Sequence, residues 1–267
     1  MTLSHTIPYW HVDAFADRAF TGNQAAVMIL DVWPDDDVLQ AIAAENMFAE
    51  TAFLVGDASG ESDWELRWFT PMLEIRLCGH ATLAAGHVVL GREPEQEVVR
   101  FRTRLAGILE VRRTASGYEV ALPARAASPS AWDEATAALG GTPREVCRND
   151  DQNNIFVYDS EAEVRALTPD MRALAALGID SFIATAHGSE TDVVSRVFVP
   201  GAGVDEDPVT GSAHAVLTPF WTARLGRDSF TAYQASERGG HVSCRLEGDR
   251  AWLGGGCVTV VTGNFTF

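Results

Sequence analysis

Cys78-Gly79-His80-Ala81-Thr82-Leu83-Ala84 and Thr210-Gly211-Ser212-Ala213-His214-Ala215-Val216 are two copies of one pattern, one in each half of the chain. Aligned on their glycines, both read x-Gly-polar-Ala-x-apolar-small, and both run into an apolar, helix-like stretch. A helix that opens on Gly leaves backbone N–H groups pointing out of its N-terminus, a ready anion site. Two such starts, one from each lobe of a duplicated protein, are expected to face each other across a cleft and grip one carboxylate. Residues 80–90 and 213–225 are apolar on nearly all sides, and a helix of that kind must be buried. Many short strand patterns surround them, which predicts a sheet curled around each helix. The predicted fold class is α+β: two pseudo-symmetric lobes, each a curled mixed β-sheet around a central apolar helix.

Working outward, residues 10–15 and 25–30 read as strands around the turn Thr21-Gly22-Asn23-Gln24. Pro34 followed by Asp35, Asp36 and Asp37 marks a helix start rather than a metal site. Proline suits the first turn and the acids complement the helix dipole. Val38, Leu39, Ile42 and Ala43 give that helix its apolar face, and Glu50 stands where the next strand begins. The stretch 123–132, rich in Ala, Ser and Pro, is the predicted lobe boundary. The lobes are then residues 1–125 and 126–267, with the final strand free to return to the first. Gly201-Ala202-Gly203 lacks the third glycine and the helix start of a dinucleotide fingerprint.

Composition removes whole classes of chemistry. The formal net charge of −17 opposes nucleic acid and anionic membranes as partners. No lysine is present, so there is no attachment point for pyridoxal phosphate and no P-loop lysine. The four cysteines, Cys78, Cys147, Cys244 and Cys257, form no CxxC pair, which argues against a structural zinc site. Residues 1–13 lack a signal-peptide pattern and no apolar run approaches membrane-spanning length. The expectation is a cytoplasmic protein without cofactor or resident metal, whose partner is a small-molecule carboxylate.

The runs Val12-Asp13-Ala14-Phe15, Phe20-Thr21-Gly22-Asn23, Glu50-Thr51-Ala52-Phe53, Leu77-Cys78-Gly79-His80-Ala81-Thr82 and Glu206-Asp207-Pro208-Val209-Thr210-Gly211-Ser212-Ala213 occur in this order. With them the chain resembles the PhzF (phenazine biosynthesis) family, within the diaminopimelate epimerase-like fold, over nearly its whole length. The resemblance implies a cofactor-independent isomerase, a homodimer, and an active site between two lobes. Carried over by position, it implies the acid/base role for Glu50, with His80, Asp207 and Ser212 as further catalytic residues. Asn23, Cys78, Gly79, Ala81, Thr210, Gly211 and Ala213 are the expected substrate-binding positions. Two departures stand out. Gln24 replaces a proline common after Gly-Asn, and Cys78 stands where the phenazine enzyme has a small non-thiol residue and related epimerases use cysteine.

The chemistry agrees independently. Shifting a hydrogen along an unsaturated acid, or inverting a stereocentre, begins by removing a proton from carbon. A carboxylate in a partly apolar cleft is suited to that task. Glu50 is flanked in sequence by Met47, Phe48 and Phe53. His80 and Asp207 are expected to bind substrate or steady the charge of Glu50, and Ser212 with the N–H groups near Gly79 and Gly211 to hold the carboxylate. Alone, Glu50 reads equally as a solvated strand end, His80 as a helix cap and Asp207-Pro208 as a turn. Two alternatives stay open: a one-thiol epimerase or racemase using Cys78 with Glu50, and a non-catalytic metabolite-binding protein. A two-thiol epimerase fails because the partner of Cys78 is Thr210. At a helix start the dipole favours thiolate, so Cys78 is expected to be the most reactive thiol.

Overall fold

Consecutive side chains, rather than alternate ones, are buried along the strands Asn23–Leu30 and Glu50–Gly56. A sheet covered on both faces produces that pattern. The computed structural model describes residues 5–267, which form two units, residues 5–121 with 254–267, and residues 122–253.

In the first unit the strand order is Cys257–Thr266, Thr6–Ala14, Asn23–Leu30, Glu50–Gly56, Trp64–Phe69, Val98–Thr103, Ile108–Thr114, Gly117–Pro123. Asn23–Leu30 runs parallel to Glu50–Gly56, and Trp64–Phe69 parallel to Val98–Thr103; the other neighbours are antiparallel. The helix Gly79–Arg92 touches strands from both ends of this order, so the sheet curls around it. Its residues Gly79 to Gly86 and Val88 to Leu90 are buried, as the all-round apolar sequence requires. Gly86 is the point of closest approach: a Cβ there would overlap the Val111 side chain of a facing strand. On the outer face, Leu39, Ile42 and Ala43 of the helix Asp36–Asn46 pack with Met28, Phe53 and Phe69. That helix begins after Pro34, with Asp36 and Asp37 in its first turn.

The second unit has the same plan. Its central helix, Gly211–Leu225, lies on the strands Asn153–Val157, Ser229–Gln234 and Gly240–Glu247. The short helices Asp133–Leu139, Glu161–Ala166 and Met171–Ala175 belong to an outer core with Phe156, Phe182 and Phe198. Pro219 lies inside the central helix and has no N–H for the carbonyl four residues back. That carbonyl, of Ala215, instead accepts from the Arg125 N–H at 3.2 Å. The stretch 123–132, read as a bare boundary loop, contains a strand, Ser128–Ser130, paired with Glu145–Arg148. Val204–Asp207 is also a strand. Its acidic sequence conceals this, but Val197 pairs with Asp207 and Phe198 with Glu206. Arg196 makes two bonds to Glu206, of 2.8 and 2.9 Å, which hold the pairing. Among the described residues no helix is long and apolar enough to cross a membrane.

Candidate active site

Three separated stretches of the first unit meet at His80. The parallel register places Ala25 opposite Glu50, so Asn23 and Glu50 lie at the same end of neighbouring strands. Gly22, at φ 66°, makes the turn into Asn23; a Cβ there would overlap the Ala14 carbonyl. Cys78 precedes the central helix as its N-cap, on extended backbone. Thr82 Oγ1 donates back to the Cys78 carbonyl at 2.5 Å and ties the turn down.

The His80 ring is 3% exposed. Its Nδ1 is 3.2 Å from Asn23 Nδ2 and 3.6 Å from Cys78 Sγ. Its Nε2 is 3.0 Å from Glu50 Oε2. Neither of those two buried atoms has an aligned hydrogen bond. The Glu50 side chain keeps 16% of its surface exposed, enough to meet a ligand.

Electrostatics separate the three groups. Burial works against the imidazolium, but the charges of Cys78 and Glu50 outweigh it and hold the His80 pKa well above its ordinary value. Burial pushes the Cys78 thiol up, and the negative charge of Glu50 adds to the effect. The helix dipole works in the other direction. The dipole contributes about 0.3–1 kcal/mol, whereas complete burial shifts a pKa by up to about 3–5 units. Burial thus opposes the thiolate that the dipole favours. Glu50, Cys78 and His80 also offer one donor atom each within 4.8 Å of one another, the spacing of a metal-ligand set. His80, however, turns Nδ1 toward Cys78 and Nε2 toward Glu50, so the trio reads first as a chain of polar contacts through one ring.

The second copy of the motif is built by the same device. Thr210 is the N-cap of Gly211–Leu225, and its side chain leaves the first-turn N–H groups untouched. His214 occupies the place of Thr82 and likewise reaches back, with Nδ1 2.8 Å from the Thr210 carbonyl. Thr210 Oγ1 donates to Asp207 Oδ2 at 2.5 Å. Ser212 and Ala213 follow Gly211 in the first turn, with Ser212 half-buried. Sequence reasoning missed Gln234. It is completely buried, its Oε1 accepts the Thr210 N–H at 2.9 Å, and its Nε2 donates to the Asp207 carbonyl at 2.6 Å. Ser236 donates to the Pro208 carbonyl at 2.7 Å. The available signal was periodic: Phe230, Ala232 and Gln234 are the inward positions of one strand, and a polar residue among them needs partners.

Two exposed apolar residues stand three positions before Asn23 and Glu50 in the sequence. Phe20 and Met47 have φ of 72° and 56°. Met47 is the left-handed C-cap of the helix Asp36–Asn46, its N–H donating to the Ala43 carbonyl.

Comparisons with known proteins agree with this architecture. The family model described as phenazine biosynthesis-like protein matches residues 12–263. An uncharacterised isomerase of Pseudomonas aeruginosa is 45% identical over 259 residues, covering 96% of this chain and 97% of its own. The crystal structure of a PhzF-family protein from Enterococcus faecalis superposes with a TM-score of 0.90 at 40% identity, covering 98% of this chain and 99% of that one. A hydroxyproline epimerase from Agrobacterium vitis, at 12% identity and a TM-score of 0.64 over 100% of this chain and 94% of its own, shares the fold. The protein is an isomerase, and by its sequence, its fold and its paired Gly-led helix starts the chain belongs to the phenazine biosynthesis-like (PhzF) family.

Proposed function

We propose that this isomerase moves a hydrogen on a small carboxylic or amino acid, with Glu50 taking the proton from carbon and returning it, and with no resident cofactor. The observation that carries the reading is the buried facing of Glu50 Oε2 and His80 Nε2 at 3.0 Å. A proton on Nε2 would lie against the Glu50 carboxylate, the group proposed to take the proton from carbon. When Glu50 removes a proton, negative charge develops on the substrate, and the His80 N–H and the Gly79 N–H at the helix start are donors suited to it. Asn23 holds the ring from the other side. Asp207 and Ser212, with Thr210, Gly211 and Ala213, are proposed as binding positions of the second unit on the strength of their matching motif. The small acid partner is part of this proposal.

Cys78 supports a second reading, the one-thiol epimerase, because Sγ lies 3.6 Å from His80 Nδ1. Its raised pKa weakens it as a carbon base.

The test is to incubate the protein with a pool of metabolite acids in ordinary and in heavy water. The expected product has an altered NMR spectrum at unchanged mass in ordinary water and gains deuterium at one carbon in heavy water. A product whose mass changes in ordinary water contradicts isomerisation.

A further inference from the structure

We infer that Gln234 is a positioning residue of the second unit: acting through Thr210, it aims the Asp207 carboxylate. The inference rests on the reading of Asp207 and Thr210 as binding positions. Gln234 ends the strand Ser229–Gln234, on the inward face it shares with Phe230 and Ala232, and is completely buried. The segment Asp207-Pro208-Val209-Thr210 leads into the helix Gly211–Leu225. Gln234 Oε1 accepts the Thr210 N–H at 2.9 Å, and Nε2 donates to the Asp207 carbonyl at 2.6 Å. A backbone N–H only donates and a carbonyl only accepts, so these two partners fix which way the amide faces. The second hydrogen of Nε2 goes to Thr210 Oγ1 at 3.2 Å.

That third bond separates positioning from simple closure of a turn. The first two satisfy backbone groups, which any buried turn requires. The bond to Oγ1 satisfies no backbone group. It occupies a lone pair of the Thr210 hydroxyl, whose own hydrogen goes to Asp207 Oδ2 at 2.5 Å. A threonine at a helix N-cap ordinarily accepts a first-turn N–H through this oxygen. Thr210 makes no such side-chain cap bond; its hydroxyl is held between an amide donor and a carboxylate instead. Bonds chained in this way polarise one another, and a donor on a carboxylate favours the ionised form. Ser236, two residues after Gln234, donates to the Pro208 carbonyl at 2.7 Å and ties down the same segment. The direction and charge of the Asp207 carboxylate are thereby set before a ligand arrives, by a residue outside the motif.

The experiment follows the Asp207 carboxyl of the whole chain by carbon-13 NMR titration, in wild type, Gln234→Met, Thr210→Val, Thr210→Ser and the double variant Gln234→Met with Thr210→Val. Met keeps the length of Gln and removes its hydrogen bonds. Thr210→Val should raise the Asp207 midpoint by about one pH unit, and Thr210→Ser should leave it near the wild-type value. Gln234→Met should raise it by about 0.3 unit or more. Because Gln234 acts through the hydroxyl, adding Gln234→Met to Thr210→Val should raise it no further. The other titratable and charged groups on these elements, Asp205, Glu206 with Arg196, His214, Glu237 and Arg238, are the same in every variant. A midpoint unmoved in Gln234→Met, or shifts that add in the double variant, would overturn the inference and leave Gln234 as the closure of a turn. A second measurement keeps Gln234 intact. In Thr210→Val one of its two side-chain amide protons should move upfield, and unchanged amide signals would overturn the relay. Neither measurement uses turnover. Failure of the binding reading shows instead as an unchanged KM for the isomerised acid in Asp207→Asn.

Discussion

His80 and His214 are both buried, 3% and 0% exposed, yet their protons are held in opposite ways. His80 faces a carboxylate and a sulfur, and its pKa is raised despite burial. His214 has only the Thr210 carbonyl at Nδ1, its Nε2 has no partner, and burial lowers its pKa to about 4. Glu50→Gln removes one of the charges that raise His80. The NMR titration midpoint of the His80 ring should therefore fall from above 6.5 in wild type toward lower pH. An unchanged midpoint would mean that the 3.0 Å contact carries no electrostatic coupling. For His214 the sign runs the other way. Its folded pKa lies below the unfolded value of 6.5, so its contribution to stability is complete above pH 6.5 and is lost as pH falls toward 4. The loss approaches roughly 3 kcal/mol at the acid end. Urea midpoints at pH 7 and pH 4.5 should differ less in His214→Gln than in wild type; an equal difference would exclude His214 as the source.

At the scale of elements, the two central helices are the parts most exacting of their sequence. Gly86 lets the helix Gly79–Arg92 lie against the strand Ile108–Thr114. Val111 is stiff at χ1, so Gly86→Ala should destabilise the protein by about 1–3 kcal/mol through overpacking, measured by urea unfolding. Unchanged stability would show that the strand yields without cost. These helices were legible because glycine followed by an unbroken apolar run has few other meanings. Trp64–Phe69 and Val193–Val199 were legible from their β-branched and aromatic runs. Val204–Asp207 was not, because three of its four residues are acids and its strand form depends on Arg196, which is supplied by another strand. Gln234 was hidden for a related reason: its partners Asp207 and Thr210 lie more than twenty residues away, and only folding brings them together. Cys78 was placed correctly as the cap, but its reactivity depends on burial, which a dipole argument from the helix start leaves out.

Across the whole molecule, the motif is repeated while the chemistry is not. The first copy carries a thiol, an imidazole and, through pairing, a carboxylate; the second carries hydroxyls, an aspartate and an imidazole, His214, that is tied back to the Thr210 carbonyl. An isomerase with one proton-handling cluster fits that asymmetry, and the absence of lysine removes the usual Schiff-base route. The central claim is that Glu50, not Cys78, carries the proton. The most direct test compares turnover of the isomerised acid by wild type, Glu50→Gln and Cys78→Ala under one set of conditions. The account predicts a loss of about 10²–10⁴-fold for Glu50→Gln, with Cys78→Ala retaining most of the wild-type rate. Turnover abolished in Cys78→Ala and kept within a few-fold in Glu50→Gln would contradict it and make the thiol the carbon base.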